Sequence, residues 1–222
     1  FGHGHYGWGL GLIDLLTRPK KERIFFLDPD TLLAGPLLNI FQSFRTDFVL
    51  SAYPNRKDVE SCYYYDQVKL KQVDPDFEYP GYYFNTGQMV ATTGILTRED
   101  FLGLMEFGKP FTVNSPEVFP CVDQSLLNYV IPREERKGRL GIGKMLFMNW
   151  GWADLDETDY FPWRDGIGYP YVLHWAGEKP SSIEKMNGSH FWKFFEYYDQ
   201  QRKVPSEQLM KEWYQDRHVE IR

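Results

Sequence analysis

Glu22-Arg23-Ile24-Phe25-Phe26-Leu27-Asp28-Pro29-Asp30 is the stretch on which the fold turns. Its apolar core, Ile24 to Leu27, follows the charged stop Arg18-Pro19-Lys20-Lys21 and ends in two carboxylates. A short unbroken apolar run reads as a strand buried on both faces, the habit of parallel sheets. Gly35-Pro36 then opens a helix over 37–44, since proline suits a first helical turn. Residues 47–52, Asp-Phe-Val-Leu-Ser-Ala, read as a second buried strand closed by Tyr53-Pro54-Asn55. Strand, helix, strand is the order of an α/β sheet.

Beyond these elements, residues 53–83 are polar, aromatic and proline-bearing, a long excursion rather than a linker. Residues 87–93 read as a strand, and 98–107 as a helix capped by Thr97 with Asp100 three residues on. A short helix over 123–130 is stopped by Pro132, and 133–139 is a solvated charge run. A late strand covers 171–174, and two helices, 189–202 and 205–217, close the chain. No internal repeat or low-complexity tract interrupts the alternation. The expectation is one α/β domain over 1–222, with a mixed, mostly parallel central sheet flanked by helices. Residues 189–222 form its helical extension.

Composition narrows the function classes. A chain of 222 residues buries roughly 70–75% of its unfolded surface, so it needs no disulfide or metal merely to hold a core. A net charge of −6 argues against nucleic acid, because a phosphate backbone asks for a basic face. Two cysteines, Cys62 and Cys121, cannot build a disulfide framework. No apolar window is long enough to span a membrane. Aromatics reach 18%, which suits a surface that stacks on sugar rings as well as an aromatic core.

Asp28 and Asp30 stand one residue apart, straight after the buried strand. Two carboxylates so placed direct oxygens toward one hard divalent cation, Mn²⁺ or Mg²⁺, with a diphosphate able to complete the shell. Ligand crevices of open α/β sheets lie outside the carboxyl ends of strands, which is where this pair sits. Asp-Pro-Asp is also turn chemistry, and the chain carries its own control. Asp74-Pro75-Asp76 has the same letters with no buried strand before it, and reads as a turn. Three other segments place polar groups at element boundaries: Phe84-Asn85-Thr86-Gly87, Asp123-Gln124, and His174-Trp175-Ala176-Gly177-Glu178-Lys179-Pro180.

In that order, Leu-Asp-Pro-Asp-Thr-Leu-Leu (27–33), Phe-Asn-Thr-Gly (84–87), Asp-Gln-Ser-Leu-Leu-Asn (123–128) and His-Trp-Ala-Gly-Glu-Lys-Pro (174–180) resemble the glycogenin-like glycosyltransferases of family 8. The resemblance runs from about residue 13 to 180. It implies a GT-A fold and a metal-dependent, retaining hexosyl transfer from a nucleotide-sugar, UDP being the nucleotide, to the hydroxyl of a glycan, lipid-linked or protein acceptor. It also implies that Asp28, Asp30 and His174 bind Mn²⁺ or Mg²⁺. Asn85, Thr86 and Gly87 would line the donor pocket, Gly177 and Lys179 would hold the diphosphate, and Asp123 and Gln124 would stand at the reacting face. The chemistry needs such a set on its own account, because a leaving nucleoside diphosphate calls for a metal and a cation. No carboxylate nucleophile stands out.

The last motif departs from the family, with one residue rather than two between Gly177 and Lys179-Pro180, and no Trp after them. The family's nucleotide-gripping N-terminal strand and helix also lack room in the 27 residues before Asp28. The expectation is that this part lies upstream of Phe1 or that the transferase is divergent. Gly2-x-Gly4-x-x-Gly7 has no strand before it, so it lacks the context of a dinucleotide fingerprint, and His3 and His5 read as a solvated end. Two rivals stand beside the transferase. One is a carbohydrate-binding or degenerate transferase-like module, which the aromatics suit. The other is a haloacid-dehalogenase-type phosphatase, which would want another motif after Asp30 and for which Asp154, Asp156 and Asp159 are a poor acidic partner. The absence of a signal segment points to the cytoplasm, free or peripheral at a membrane, with the Golgi lumen as the eukaryotic alternative. Asn187-Gly188-Ser189 is a glycosylation triplet of a kind frequent by chance.

Overall fold

The computed structural model describes residues 6–33, 44–54, 64–108, 111–150 and 172–174. The chain divides into two compact units, Phe1–Pro29 with Pro36–Met148, and Asp30–Gly35 with Asn149–Arg222.

The first unit holds a helix α1 (Tyr6–Leu16) and the strands β1 (Arg23–Leu27), β3 (Phe48–Pro54), β4 (Tyr82–Thr92) and β7 (Ile142–Met145). It also holds α2 (Gln67–Val73), α3 (Val122–Arg136) and a two-stranded ribbon of β5 (Met105–Glu106) and β6 (Thr112–Val113). The main sheet has the order β1-β4-β3-β7. Its central strand β4 is buried from Tyr82 to Ala91 because both faces are covered. Toward one face Phe48, Leu50, Met89 and Ala91 join Leu126, Leu127, Val130 and Ile131 of α3 and Leu12, Ile13 and Leu16 of α1 in one apolar core. In the second unit β2 (Thr31–Leu33) and β9 (Val172–His174) pair antiparallel, in a sheet ordered β2-β9-β8 whose last strand, Met148–Trp150, begins at the unit boundary.

The architecture is mixed α/β with a mixed sheet, and the strands at 23–27, 48–54, 82–92 and 172–174 answer the sequence reading. Strand direction does not. Only β3 and β7 run parallel in the main sheet, whereas β1 with β4 and β3 with β4 run antiparallel. The expected mostly parallel sheet is therefore corrected, since an apolar run carries no record of direction, and β1, read as buried on both faces, is a half-buried edge strand. The helix expected over 98–107 is a single 3-10 turn, Arg98–Phe101. Gly103 at φ +78° follows it, and Met105 and Glu106 then pair with β6. Its start is as read: the Asp100 carboxylate accepts from the Thr97 N–H at 2.8 Å and the Thr97 hydroxyl at 3.3 Å. Helix α1 has no counterpart in the sequence reading. The turn after it brings the Arg18 carbonyl to 2.8 Å from where a Cβ on Gly94 would stand, and Gly94 takes φ +69°, so only glycine fits. The helices expected over 37–44, 189–202 and 205–217 lie outside the described residues, apart from Phe44.

Pro132 does not stop α3, which runs on to Arg136. The last turn is held instead by charge. Glu134 is fully buried and accepts from Arg133 at 2.8 Å, Lys137 at 2.9 Å and Arg139 at 2.8 Å. Arg139 also pairs with Asp100, and Arg133 donates to the Asp100 carbonyl at 2.6 Å. The run 133–139 is thus a partly buried ion-pair network rather than a solvated face. Its alternation of signs hid this, because three cations around one buried carboxylate read the same as a soluble helix end.

Burial alone pushes the Glu134 and Asp100 carboxyls up, but hydrogen bonds from Lys137, Arg133 and Arg139 outweigh it and both end below their ordinary values. A depressed carboxylate contributes stability above its unfolded pKa and loses it as pH falls through the folded value. Glu134→Gln should lose about 1–3 kcal/mol at pH 7. Urea unfolding at pH 7 and pH 3 should show wild type and variant converging at the acid end.

Candidate functional site

Three of the segments singled out by sequence meet at one end of the main sheet. The register of β4 against β3 breaks there: Leu50 faces Met89, yet Ala52 faces Phe84. Residues 85–88 therefore oppose Ser51 alone, a larger irregularity than a two-against-one bulge, and it interrupts the ladder with β3. Helix α3 bonds the backbone of Thr86 within this stretch and of Phe84 beside it. Gln124 Nε2 donates to the Phe84 carbonyl at 2.6 Å, while its Oε1 accepts from the Thr86 N–H and the Thr86 hydroxyl, both at 2.8 Å. Asn128 Oδ1 accepts from the Phe84 N–H at 2.9 Å, and its Nδ2 donates to the Phe84 carbonyl at 2.8 Å and the Gln124 carbonyl at 2.7 Å. Gln124 and Asn128 are four residues apart, so both carboxamides leave the helix on one face.

The bulge in turn grips the end of β1. Asn85 Oδ1 accepts from the Gly87 N–H at 2.7 Å, and the Gly87 carbonyl accepts from the Asp28 N–H at 2.6 Å. Asp28 is thereby fixed at the strand exit, one residue past the Leu27–Gln88 pair. Asp123 stands in the first turn of α3, after Val122 at φ +33°. A β-branched residue in that region is strained, by about 1–3 kcal/mol. Loss of hydration pushes the Asp123 pKa up to about 7; the Gln124 backbone N–H opposes the rise, and the charge of Asp28 adds to it.

In the second unit, β2 lies antiparallel to β9 with Thr31 opposite His174. That register sets Asp30, the residue before β2, against the imidazole: His174 Nε2 is 3.1 Å from Asp30 Oδ1, across 144 residues of chain. The His174 side chain is 1% exposed and that of Asp30 42%, so one partner is held and the other reaches solvent. Asp28 and Asp30 are joined through Pro29 alone, which limits their Cα separation to about 7 Å.

Of the residues chosen by sequence, Asp28, Asn85, Thr86, Gly87, Asp123 and Gln124 gather at the sheet end, and Asp30 pairs with His174. Gly177 and Lys179 lie outside the described residues. The control, Asp74-Pro75-Asp76, is the turn it was read to be, with Asp74 Oδ1 accepting from the Asp76 N–H at 3.2 Å. Sequence reasoning assigned no role to Asn128, although its place four residues after Gln124 on a buried face was the signal that could have found it. It also passed over Gln88. A surface cleft of about 390 Å³ lies elsewhere in the first unit, lined by Asp14, Arg18, Gly94 and Arg98 among others. Both of its arginines are paired with Asp14 and none of the chosen residues lines it.

The clamp and the raised carboxyl each have a measurable consequence. Asn128→Ala removes three buried hydrogen bonds and should cost about 2–4 kcal/mol in chemical denaturation. For Asp123, a carboxyl with a raised folded pKa binds its proton longer in the folded state, so stability falls as pH rises from about 4 to about 7. Asp123→Asn should flatten that fall in metal-free thermal unfolding, matching wild type at pH 4 and exceeding it at pH 8. Comparison with family models, curated proteins and solved structures finds no match to this chain.

Proposed function

We propose that the chain is a metal-dependent glycosyltransferase that moves a hexose from a UDP-sugar to an acceptor hydroxyl, with retention, on a GT-A-like fold. The observation that carries the reading is the pairing of Asp30 with His174, because an exposed carboxylate and a buried imidazole are brought together from 144 residues apart in the chain. Their ligand atoms are 3.1 Å apart. Adjacent corners of an octahedron with bonds of about 2.1 Å stand about 3.0 Å apart, so the pair fits one cation. Asp28, two residues before Asp30, would complete the protein's share. An imidazole beside carboxylates favours Mn²⁺ over Mg²⁺. When bound, such an ion offsets the charge that develops on a leaving diphosphate.

The chain's own residues do the rest. The Asp28 backbone is locked to Gly87, so its carboxylate needs little reordering. The Asn85 oxygen is taken by the Gly87 N–H, while its amide nitrogen has no partner among the described residues and suits a sugar hydroxyl. Gln124 works as a positioning residue, since its carboxamide is spent on the bulge that carries Asn85 and Thr86. Asp123 is the carboxylate left beside Asp28, able to accept from a hydroxyl once ionised. Gly177 and Lys179 are proposed for the diphosphate.

A second reading, a non-catalytic carbohydrate-binding module, draws on that internal engagement of Gln124. Among the described residues no helix is long and apolar enough to cross a membrane, which fits a transferase working in solution or at a membrane surface. Titrating Mn²⁺, then UDP and UDP-glucose, into the intact protein separates the two. Asp30→Ala should abolish Mn²⁺-dependent turnover and weaken Mn²⁺ binding at least tenfold, with the circular dichroism spectrum unchanged. Full activity in that variant would sink the metal assignment.

A further inference from the structure

Gln88 is fully buried on β4, and neither its amide nitrogen nor its amide oxygen has a hydrogen-bond partner among the described residues. The same strand end satisfies the other carboxamides around it: Gln124 and Asn128 make three bonds each, and Asn85 anchors Gly87. An unpaired buried amide is disfavoured twice, through the hydration it loses and the apolar packing that a methionine of similar shape would supply. Gln88 stands directly opposite Leu27, whose next residue is Asp28. By strand alternation it shares a face with Val90 and, across the ladder, with Phe25 and Leu27. A lone polar group on an apolar face, at the strand end that leads into Asp28, makes no hydrogen bond among the described residues that would account for it.

We propose that the Gln88 carboxamide is a ligand contact. It reads a neutral group that presents a donor and an acceptor side by side. An uncharged amide among apolar side chains suits such a group and not a phosphate, whose desolvation it could not offset. Two parts of a nucleotide-sugar have this chemistry, adjacent hydroxyls of the hexose and the imide edge of the base. The inference rests on the transferase reading above and adds to it a residue that selects the ligand. Complete burial means that the strand end opens slightly as the ligand enters, and that water does not compete once the contact is made.

The test is Gln88→Met, with Gln88→Leu as a second shape, measured by thermal unfolding and by calorimetry with Mn²⁺, UDP and UDP-glucose. Both variants should unfold about 2–6 °C higher than wild type, because the unpaired amide is gone. Mn²⁺ alone should bind unchanged. UDP-glucose should bind roughly 10- to 100-fold more weakly, the loss expected when a ligand's hydrogen-bonding group meets an apolar wall. If UDP weakens equally, the base is the part being read; if only UDP-glucose weakens, it is the sugar. Unchanged affinity for both in a folded variant overturns the inference and leaves the transferase reading standing. A fall in unfolding temperature also overturns it, since the amide would then be paired inside the protein, through a buried water. Wild type that binds Mn²⁺ but neither UDP nor UDP-glucose ends the transferase reading, and this inference with it.

Discussion

Two carboxamides on one face of α3 hold the irregular end of β4, and the placing of Asn85, Gly87 and Asp28 depends on them. Four residues of β4 oppose one of β3, and at this irregular end the Phe84 N–H and C=O and the Thr86 N–H are bonded by side chains of α3. Apolar side chains at 124 and 128 would pack equally well, but each unsatisfied group would cost about 1–3 kcal/mol. Gln124 and Asn128 supply both donors and acceptors at the spacing of one helical turn. Position is then passed along the strand end: the clamp sets the bulge, the bulge sets Gly87, and Gly87 sets Asp28.

Unfavourable terms collect around these linked positions. Val122 is strained at φ +33°, the Asp123 pKa is pushed up to about 7 by lost hydration, and Gln88 keeps an unpaired amide. Each is the kind of feature that a sequence selected for stability alone would shed. Stabilising features lie in the same unit, in the apolar core under α3 and in the ion pairs around Glu134 at the other end of that helix. One helix therefore carries strain at its first turn and a satisfied charge network at its last.

Legibility in the sequence followed the range of the interaction. Asp28-Pro29-Asp30 and Asp74-Pro75-Asp76 share their letters, and what precedes them sets them apart: the first leaves the half-buried strand β1, whereas the second is a turn after α2. Phe84-Asn85-Thr86-Gly87 and Asp123-Gln124 could be marked as odd for mere structure, because polar groups entering buried elements need partners. Their mutual partnership could not be read, since it joins residues 38 to 44 positions apart. Strand direction was illegible for the same reason. The parallel or antiparallel sense of β1 lies in its pairing with β4, of which its own apolar letters carry no record.

Pro132 and Glu134 show the converse failure, where a sound local rule is overruled. Proline lacks the N–H that would close a turn on Asn128, and on local grounds it should end the helix. The Asn128 side chain already ties this stretch to β4, and Ile131 and Pro132 are themselves buried, so tertiary packing carries the helix past the break. Once it continues, Glu134 falls on a buried face, where an ion needs partners to be tolerated. Arg133, Lys137 and Arg139 are those partners, which makes the charge-rich stretch a consequence of the helix's overrun rather than of solvent exposure. The residue that most resembles surface is thus required by the core.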